Sequence, residues 1–151
     1  MHNQKGFSLI EILMTVAITL ILATASTQIY GNLQVSTQLN ESVALIVQAI
    51  RTARERSIAG LNNASHGVCF ESNRYILYQG PSCALRDQAY DLATNLESAL
   101  SLSTTLQNGD VVFSKGTGIP NVTGIDTVTV IYSVNDVRVI QINSAGVVKS
   151  L

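Results

Sequence analysis

One acidic side chain, Glu11, lies inside a long apolar stretch of the sequence. Apart from Tyr30, it is the only ionisable side chain between Phe7 and Asn40. A charged group within hydrocarbon costs on the order of 2.5 kcal/mol or more, a cost that is smaller near the membrane interface and that a cationic partner offsets. We favour a cationic partner, because of the residues that precede Glu11.

The sequence also contains two cysteines, Cys69 and Cys83, whose thiol groups are reactive. If this part of the chain lies outside the cytoplasm, oxidising conditions favour a disulfide between them. Closing a loop of about 15 residues would stabilise the domain by roughly 3 kcal/mol in the chain-entropy model. The alternative is a metal site that adds His66, but two cysteines and one histidine leave a structural zinc ion one ligand short. We therefore expect a disulfide, and neither a metal nor a cofactor.

The sequence lacks the motifs of common enzyme classes. His2 and His66 are its only histidines, and it contains no GxSxG, HExxH or phosphate-binding Walker sequence. We therefore expect a protein that is not an enzyme.

The composition indicates that part of the chain meets lipid. Only 13% of the 151 residues are charged, whereas soluble domains usually carry about 25%. The formal net charge of −1 argues against a nucleic-acid binder that relies on overall positive charge.

The apolar residues are concentrated between Phe7 and Ala25, where the sequence has no proline and Glu11 is the one charge. A helix over this stretch would be about 28 Å long, close to the hydrocarbon thickness of a bilayer. We expect a membrane-spanning helix over 7–29. Lys5 precedes it, so the positive-inside rule places the N-terminus in the cytoplasm and the C-terminal domain outside.

A cleavable secretory signal is the alternative interpretation of the N-terminus. Ala23 and Ala25 could supply its small-residue cleavage site. The apolar core is longer than such signals need, however, and an acid such as Glu11 is foreign to them.

A second helical segment is expected over 30–60, packed on a sheet. Its apolar stripe has helical spacing and comprises Val35, Leu39, Val43, Ile46, Ile50 and Ala53. Gly60 provides a plausible C-terminal stop.

From His66 the pattern becomes alternating, which predicts a β-rich domain over 61–151. We expect a loop over 80–91 and strands over 67–70, 74–78, 96–106, 111–113, 127–134, 137–142 and 147–149. Asn108-Gly109 predicts a hairpin-type turn, and Asn135-Asp136 a two-residue hairpin. The predicted fold class is α+β, with the helix covering a mostly antiparallel sheet.

The residues from Lys5 to Leu13, KGFSLIEIL, resemble the processing site of type IV prepilins and pseudopilins. In that family a short basic leader ends in Gly, and the residue after the cut is N-methylated. The resemblance implies that residues 1–6 are a leader, that prepilin peptidase cleaves between Gly6 and Phe7, and that Phe7 is N-methylated. Glu11 then occupies the fifth position of the processed chain, where the family has Glu.

The same resemblance implies a pairing for Glu11 and a set of partners. Its carboxylate would meet the α-amino group of Phe7 on a neighbouring subunit and set the axial register. The implied partners are other pilin or pseudopilin subunits, prepilin peptidase, an inner-membrane assembly platform, and lipid before assembly. The implied location is the inner membrane, as a single-pass protein with a periplasmic or extracellular domain, and then a filament.

The rest of the chain resembles the GspH/FimT type, through Ala53-Arg54, GVCF, RYILY and VRVIQINSAGVV. These proteins are minor pseudopilins of type II secretion systems and minor pilins of type IV pili. The resemblance implies a structural filament subunit. A major pilin is one alternative.

A DNA-binding minor pilin of a DNA-uptake pilus is the other alternative. Arg138, Lys149 and Lys115 would then have to form a local basic patch. Cations on strands are more often solvated charges that protect sheet edges.

Overall fold

The computed structural model describes residues 7–151, without the side chains of residues 25–32. The chain divides into two compact units. The first ends at Ser36, and the second spans Thr37–Leu151. Among the side chains described, no helical stretch combines the length and the hydropathy of a membrane span.

Helix α1 runs from Leu9 to Ile58, so the two predicted helical segments share one helical backbone. Within Thr37–Leu151, the buried apolar side chains of α1 belong to the predicted stripe and are Leu39, Val43, Ile46, Ile50 and Ala53; Ser57 is buried as well. Gly60 follows the helix with φ of 62°, a left-handed conformation that glycine adopts without a steric penalty. Its amide donates to the carbonyl of Ser57, so the predicted stop is confirmed.

The described residues form eight strands in two antiparallel sheets. The strands are β1 (His66–Glu71), β2 (Arg74–Gln79), β3 (Leu92–Asn95), β4 (Ser101–Thr104), β5 (Asp110–Phe113), β6 (Ile125–Ile131), β7 (Val137–Asn143) and β8 (Val148–Ser150). The first sheet has the order β3-β2-β1-β5 and the second the order β4-β6-β7-β8. The predicted α+β class is confirmed, with the helix packed on two sheets rather than one.

The single strand predicted over 96–106 is wrong in its bounds. Only Ser101–Thr104 is extended and paired there, and a separate strand, Leu92–Asn95, pairs with β2. All four residues of Leu92–Asn95 are exposed. This strand therefore lacks the alternation of buried and exposed residues from which a strand is predicted.

The hairpin predicted at Asn108-Gly109 is also wrong, although the turn itself is present. Both residues have positive φ, 62° and 69°, which suits a tight reversal. The strands on either side of the turn, β4 and β5, pair with β6 and β1 respectively, so the turn carries the chain from one sheet to the other.

The predicted hairpin between β6 and β7 is confirmed, but its connection is longer than two residues. The last register pair is Ile131 with Val137. Residues 132–136 form the connection, closed by the Tyr132 amide donating to the Asp136 carbonyl at 3.0 Å.

The two faces of the first sheet have different coverings. Cys69, Ile76 and Tyr78 share one face and pack against Cys83 of the loop over 80–91. The alternate positions, such as Val68 and Val111, are fully buried on the other face. In the second sheet alternate residues in the middle of two strands are buried, Val128 and Val130 in β6 and Ile140 and Ile142 in β7, so this sheet contributes one face to the core.

Candidate functional site

Ser8 and Glu11 form two reciprocal hydrogen bonds at the start of α1. The amide of Glu11 donates to the Ser8 carbonyl at 3.0 Å, and the amide of Ser8 donates to Glu11 Oε2 at 3.4 Å. A carboxylate three residues into a helix is half of a capping box, and it also interacts favourably with the helix dipole. The spacing Ser-x-x-Glu is visible in the sequence, but sequence analysis considered only the charge of Glu11.

The apolar side chains around this carboxylate are exposed. Before residue 25 the exposed apolar side chains include Phe7 and, within α1, Ile10, Leu13, Ile18 and Leu22, each more than half exposed. An apolar surface on every side of a helix is typical of a segment that lipid or other helices surround.

The hydroxyl groups of three threonines in this segment donate to its own backbone. Thr15 donates to the carbonyl of Ile12 at 2.9 Å, and Thr19 donates to those of Thr15 and Val16 at 2.9 Å. Thr24 does the same with Ile21. These hydroxyls therefore need no water, which suits an apolar environment.

The proposed cleavage point lies at the edge of the described chain. Phe7 is the first residue that the structure describes and is largely exposed. Gly6, Lys5 and the rest of the predicted leader lie outside the described residues, so processing stays a prediction.

The predicted disulfide between Cys69 and Cys83 is present. It joins β1 to the loop over 80–91, and its two sulfurs are therefore unavailable as thiolate ligands. Within the described residues, histidine, cysteine, aspartate and glutamate form no cluster able to hold a metal ion.

Asp110 lies beside the disulfide and was not singled out from the sequence. It is 2% exposed and accepts hydrogen bonds from the Tyr78 hydroxyl at 2.8 Å and the Cys83 amide at 2.7 Å. Burial, reinforced by the bond to Asp110, raises the pKa of the Tyr78 hydroxyl. Tyr78 therefore stays a donor, and the buried carboxylate is satisfied by two donors. Gly67 leaves room for the Tyr78 ring, which a Cβ at this position would meet at 2.7 Å.

His66 is 2% exposed and lies at the start of β1. Its amide donates to Ser57 Oγ at 2.8 Å, which links the strand to the end of α1. Burial, followed by the charge of nearby Arg56, lowers the pKa of the His66 imidazole. The ring is therefore neutral at neutral pH.

Arg54 connects the last turns of α1 to two loops. Its guanidinium donates to the carbonyls of Gly118, Gly146 and Ala145 at 3.3, 3.3 and 3.2 Å. A planar guanidinium can serve three acceptors at once. Arg54 is thus a structural clamp, a role that its place at the end of a helix did not reveal.

The three cations considered for DNA binding do not form one patch. Arg138 donates to Asn40 Oδ1 at 3.1 Å, while Lys115 donates to Asn63 in the turn that follows α1. Lys149 is the register partner of Gln141, which alternates along β7 with buried Ile140. Lys149 therefore faces away from the core, on the sheet face opposite to Arg138.

Residues 1–27 match the family described as the prokaryotic N-terminal methylation motif. No curated protein shows significant sequence similarity to the chain.

Solved structures share the fold at low sequence identity. One is the minor pseudopilin EpsH from the type 2 secretion system of Vibrio cholerae, with a TM-score of 0.56 and 14% identity over 76% of this chain and 96% of that chain. Another is the type IV minor pilin FimU of Pseudomonas aeruginosa PAO1, with a TM-score of 0.60 and 12% identity over 75% and 87% of the two chains. A second crystal form of FimU has a TM-score of 0.59. The motif and the fold together support the type IV pilin and pseudopilin superfamily.

Proposed function

We propose, from the N-terminal methylation motif and the pilin-like fold, that this chain is a minor pilin or pseudopilin. The observation that carries the proposal is the first turn of α1, where Glu11 is surrounded by exposed apolar side chains. A free soluble domain gains nothing from such a helix, whereas a filament subunit buries it among the helices of its neighbours. The role is structural rather than catalytic.

Processing precedes assembly in this proposal. Prepilin peptidase removes residues 1–6 by cleaving between Gly6 and Phe7, and the new N-terminus of Phe7 is methylated. Until assembly, residues 7–29 hold the subunit in the inner membrane with the β-rich domain, 61–151, on the far side. The segment over 30–60 joins the two and packs on the sheets.

Assembly brings the α-amino group of Phe7 to Glu11 of an adjacent subunit. Among the described residues the Glu11 carboxylate accepts one long hydrogen bond, from the Ser8 amide at 3.4 Å. Its carboxylate retains acceptor positions for an ammonium group. In an apolar bundle this pair is less screened than in water, and it favours the one axial register in which both charges are matched.

DNA binding is not favoured as a second function. Arg138 bonds to Asn40 of α1, whereas Lys115 bonds to Asn63, which follows the end of α1 at Ile58. Between Asn40 and Ile58 the helix rises about 27 Å. With Lys149 on another face, these three cations do not form the continuous basic surface that a duplex requires.

The abundance of the chain in native filaments tests the proposal. Filaments are sheared from the producing cells, and the chain is quantified against the most abundant subunit by mass spectrometry. We expect the chain to be present at a small fraction of that subunit, and its co-purifying subunits to identify the secretion or pilus system. Equal abundance would make it a major pilin, and absence from every filament fraction would contradict the proposal.

A further inference from the structure

Strand β3 forms one outer edge of the first sheet. Its sequence, LATN, contains neither a charged residue nor a proline, and all four residues are exposed. One side of the strand pairs with β2, and among the described residues no segment pairs with its other side. Such an edge is an open template for a further strand.

The backbone groups on the open side of β3 belong to Ala93 and Asn95. The Leu96 amide donates to the Asn73 carbonyl at 2.9 Å, which extends the register between β2 and β3 by one hydrogen-bonded pair. Hydrogen-bonded pairs alternate with non-bonded pairs along an antiparallel ladder. The amides and carbonyls of Ala93 and Asn95 therefore point away from β2.

The described sheets have three other outer edges, and each is protected. The Asn121 amide donates to the Val112 carbonyl of β5 at 3.0 Å. The Leu102 amide of β4 donates to the Ser72 carbonyl, in the turn between β1 and β2, at 2.8 Å. Strand β8 has only three residues, and one of them is Lys149. Covering segments, short strands and charges prevent unwanted pairing, so the open edge of β3 is an exception within this domain.

The space between β3 and α1 offers side-chain contacts beside this edge. Near Asn95, a cavity of about 100 Å³ is lined by Glu41, Leu45 and Glu97, all of which are exposed. The two carboxylates form no ion pair with a described residue. They favour a basic side chain on whatever pairs with β3, and Leu45 offers it an apolar contact.

We propose that β3 accepts a strand from an adjacent subunit. The inference rests on the proposed function, since the adjacent subunit belongs to the same filament. The incoming segment is extended, is uncharged where it pairs with Ala93 and Asn95, and carries a basic residue where it passes Glu41 and Glu97. Main-chain hydrogen bonds supply the affinity of such strand addition, and side-chain contacts select the partner.

Hydrogen exchange of single amides tests the pairing. The full-length chain is labelled with deuterium in filaments sheared from the producing cells and, as the reference, in detergent. Mass spectrometry with electron-transfer fragmentation measures the rates at Ala93 and Asn95. The Ser150 amide is the matched control, because the Leu151 amide donates to the Val139 carbonyl of β7 and the preceding amide therefore points outward from β8.

Three variants separate strand pairing from simple covering of the surface. Ala93→Pro removes an outward amide, which an edge strand tolerates because the bonds to β2 do not use it. Ala93→Ser retains the amide and is its control. Glu41→Gln combined with Glu97→Gln removes both charges and leaves the edge intact. Intact disulfide and unchanged thermal unfolding verify that each variant is folded.

We expect the Ala93 and Asn95 amides to exchange more slowly in filaments than in detergent, by about tenfold or more, and Ser150 to be unchanged. Folded Ala93→Pro should lose incorporation or return Asn95 to its rate in detergent, whereas Ala93→Ser should behave like the unaltered chain. The double glutamine variant should exchange faster in filaments than the unaltered chain does.

Equal rates in filaments and in detergent would overturn the inference and leave the proposed function intact. Slow exchange at Asn95 that survives Ala93→Pro would indicate covering without pairing, and would also overturn it. Unchanged rates in the double glutamine variant would contradict a basic partner. Slowing in detergent that grows with protein concentration would assign the edge to a second copy of this chain instead. Absence of the chain from filaments would overturn the proposed function, and the inference with it.

Discussion

The carboxylate of Asp110 accepts a hydrogen bond from the Cys83 amide at 2.7 Å, which ties the disulfide loop to β5. The same carboxylate accepts a hydrogen bond from the Tyr78 hydroxyl on β2. One buried side chain on β5 therefore bonds both to a second strand of the first sheet and to the loop that covers it. Cys69 and Asp110 are also register partners on β1 and β5. The disulfide therefore lies next to a carboxylate that accepts a hydrogen bond from the backbone of one of its two cysteines, Cys83.

Replacement of Asp110 should destabilise the β-rich domain. Asp110→Ala leaves the Tyr78 hydroxyl and the Cys83 amide without an acceptor, at about 1–3 kcal/mol for each buried group. Asp110→Asn retains one acceptor oxygen and should cost less. Urea unfolding of the oxidised protein measures both, with Asp136→Ala as an exposed control. Equal stability of Asp110→Ala and the unaltered chain would contradict the assigned role.

Arg54→Lys should also lower the free energy of unfolding. An ammonium group cannot reach the three carbonyls that the guanidinium now serves, and the loss should amount to about 2 kcal/mol. Arg51→Lys is the matched control on the same helix, because Arg51 is exposed. If both variants unfold at the same urea concentration, Arg54 does not clamp the loops.

Stability should fall as the pH drops below the ordinary pKa of histidine. The pKa of His66 is lowered in the folded protein, so below about pH 6.5 the unfolded chain binds the proton more readily than the folded one. The contribution is fully present above that pH and is lost on acidification. Unfolding free energies of the unaltered chain and of His66→Gln, measured from pH 7.5 to pH 5, test this. The variant should show a shallower decline, and identical slopes would be inconsistent with a buried neutral imidazole.

Two substitutions of Glu11 separate helix capping from charge pairing. Glu11→Gln keeps an oxygen for the Ser8 amide but removes the charge, whereas Glu11→Val removes both. If a cationic N-terminus on a neighbour is the partner, both variants should lose incorporation into filaments, by about tenfold or more for a charge pair worth at least 1.4 kcal/mol. Quantification in sheared filaments, with the membrane fraction as the loading control, measures the loss. Normal incorporation of Glu11→Gln would reduce Glu11 to a capping residue.

Features that repeat along the chain were predictable from the sequence. The buried stripe from Leu39 to Ala53 follows from helical spacing, and the β6–β7 hairpin follows from two alternating segments around a turn. The cysteine pair needed only the expectation of an oxidising compartment. Each of these depends on local pattern or on a single pair of residues.

Features that depend on distant partners were not predictable. The turn at Asn108-Gly109 fixes a reversal of the chain, but which strand lies beside β5 is decided by packing of the whole sheet. Asp110 is an ordinary acid in the sequence, and its burial depends on Tyr78, which lies 32 positions away. Arg54 likewise acquires its role from loops far along the chain.

The mass of the native N-terminus tests the central claim most directly. The chain is isolated from the membrane and filament fractions of the producing cells, and its N-terminal peptide is sequenced by mass spectrometry. The account predicts a chain that begins at N-methylated Phe7 and retains the whole apolar segment. A chain that begins after Ala23 or Ala25 and is released as a free soluble protein would contradict it.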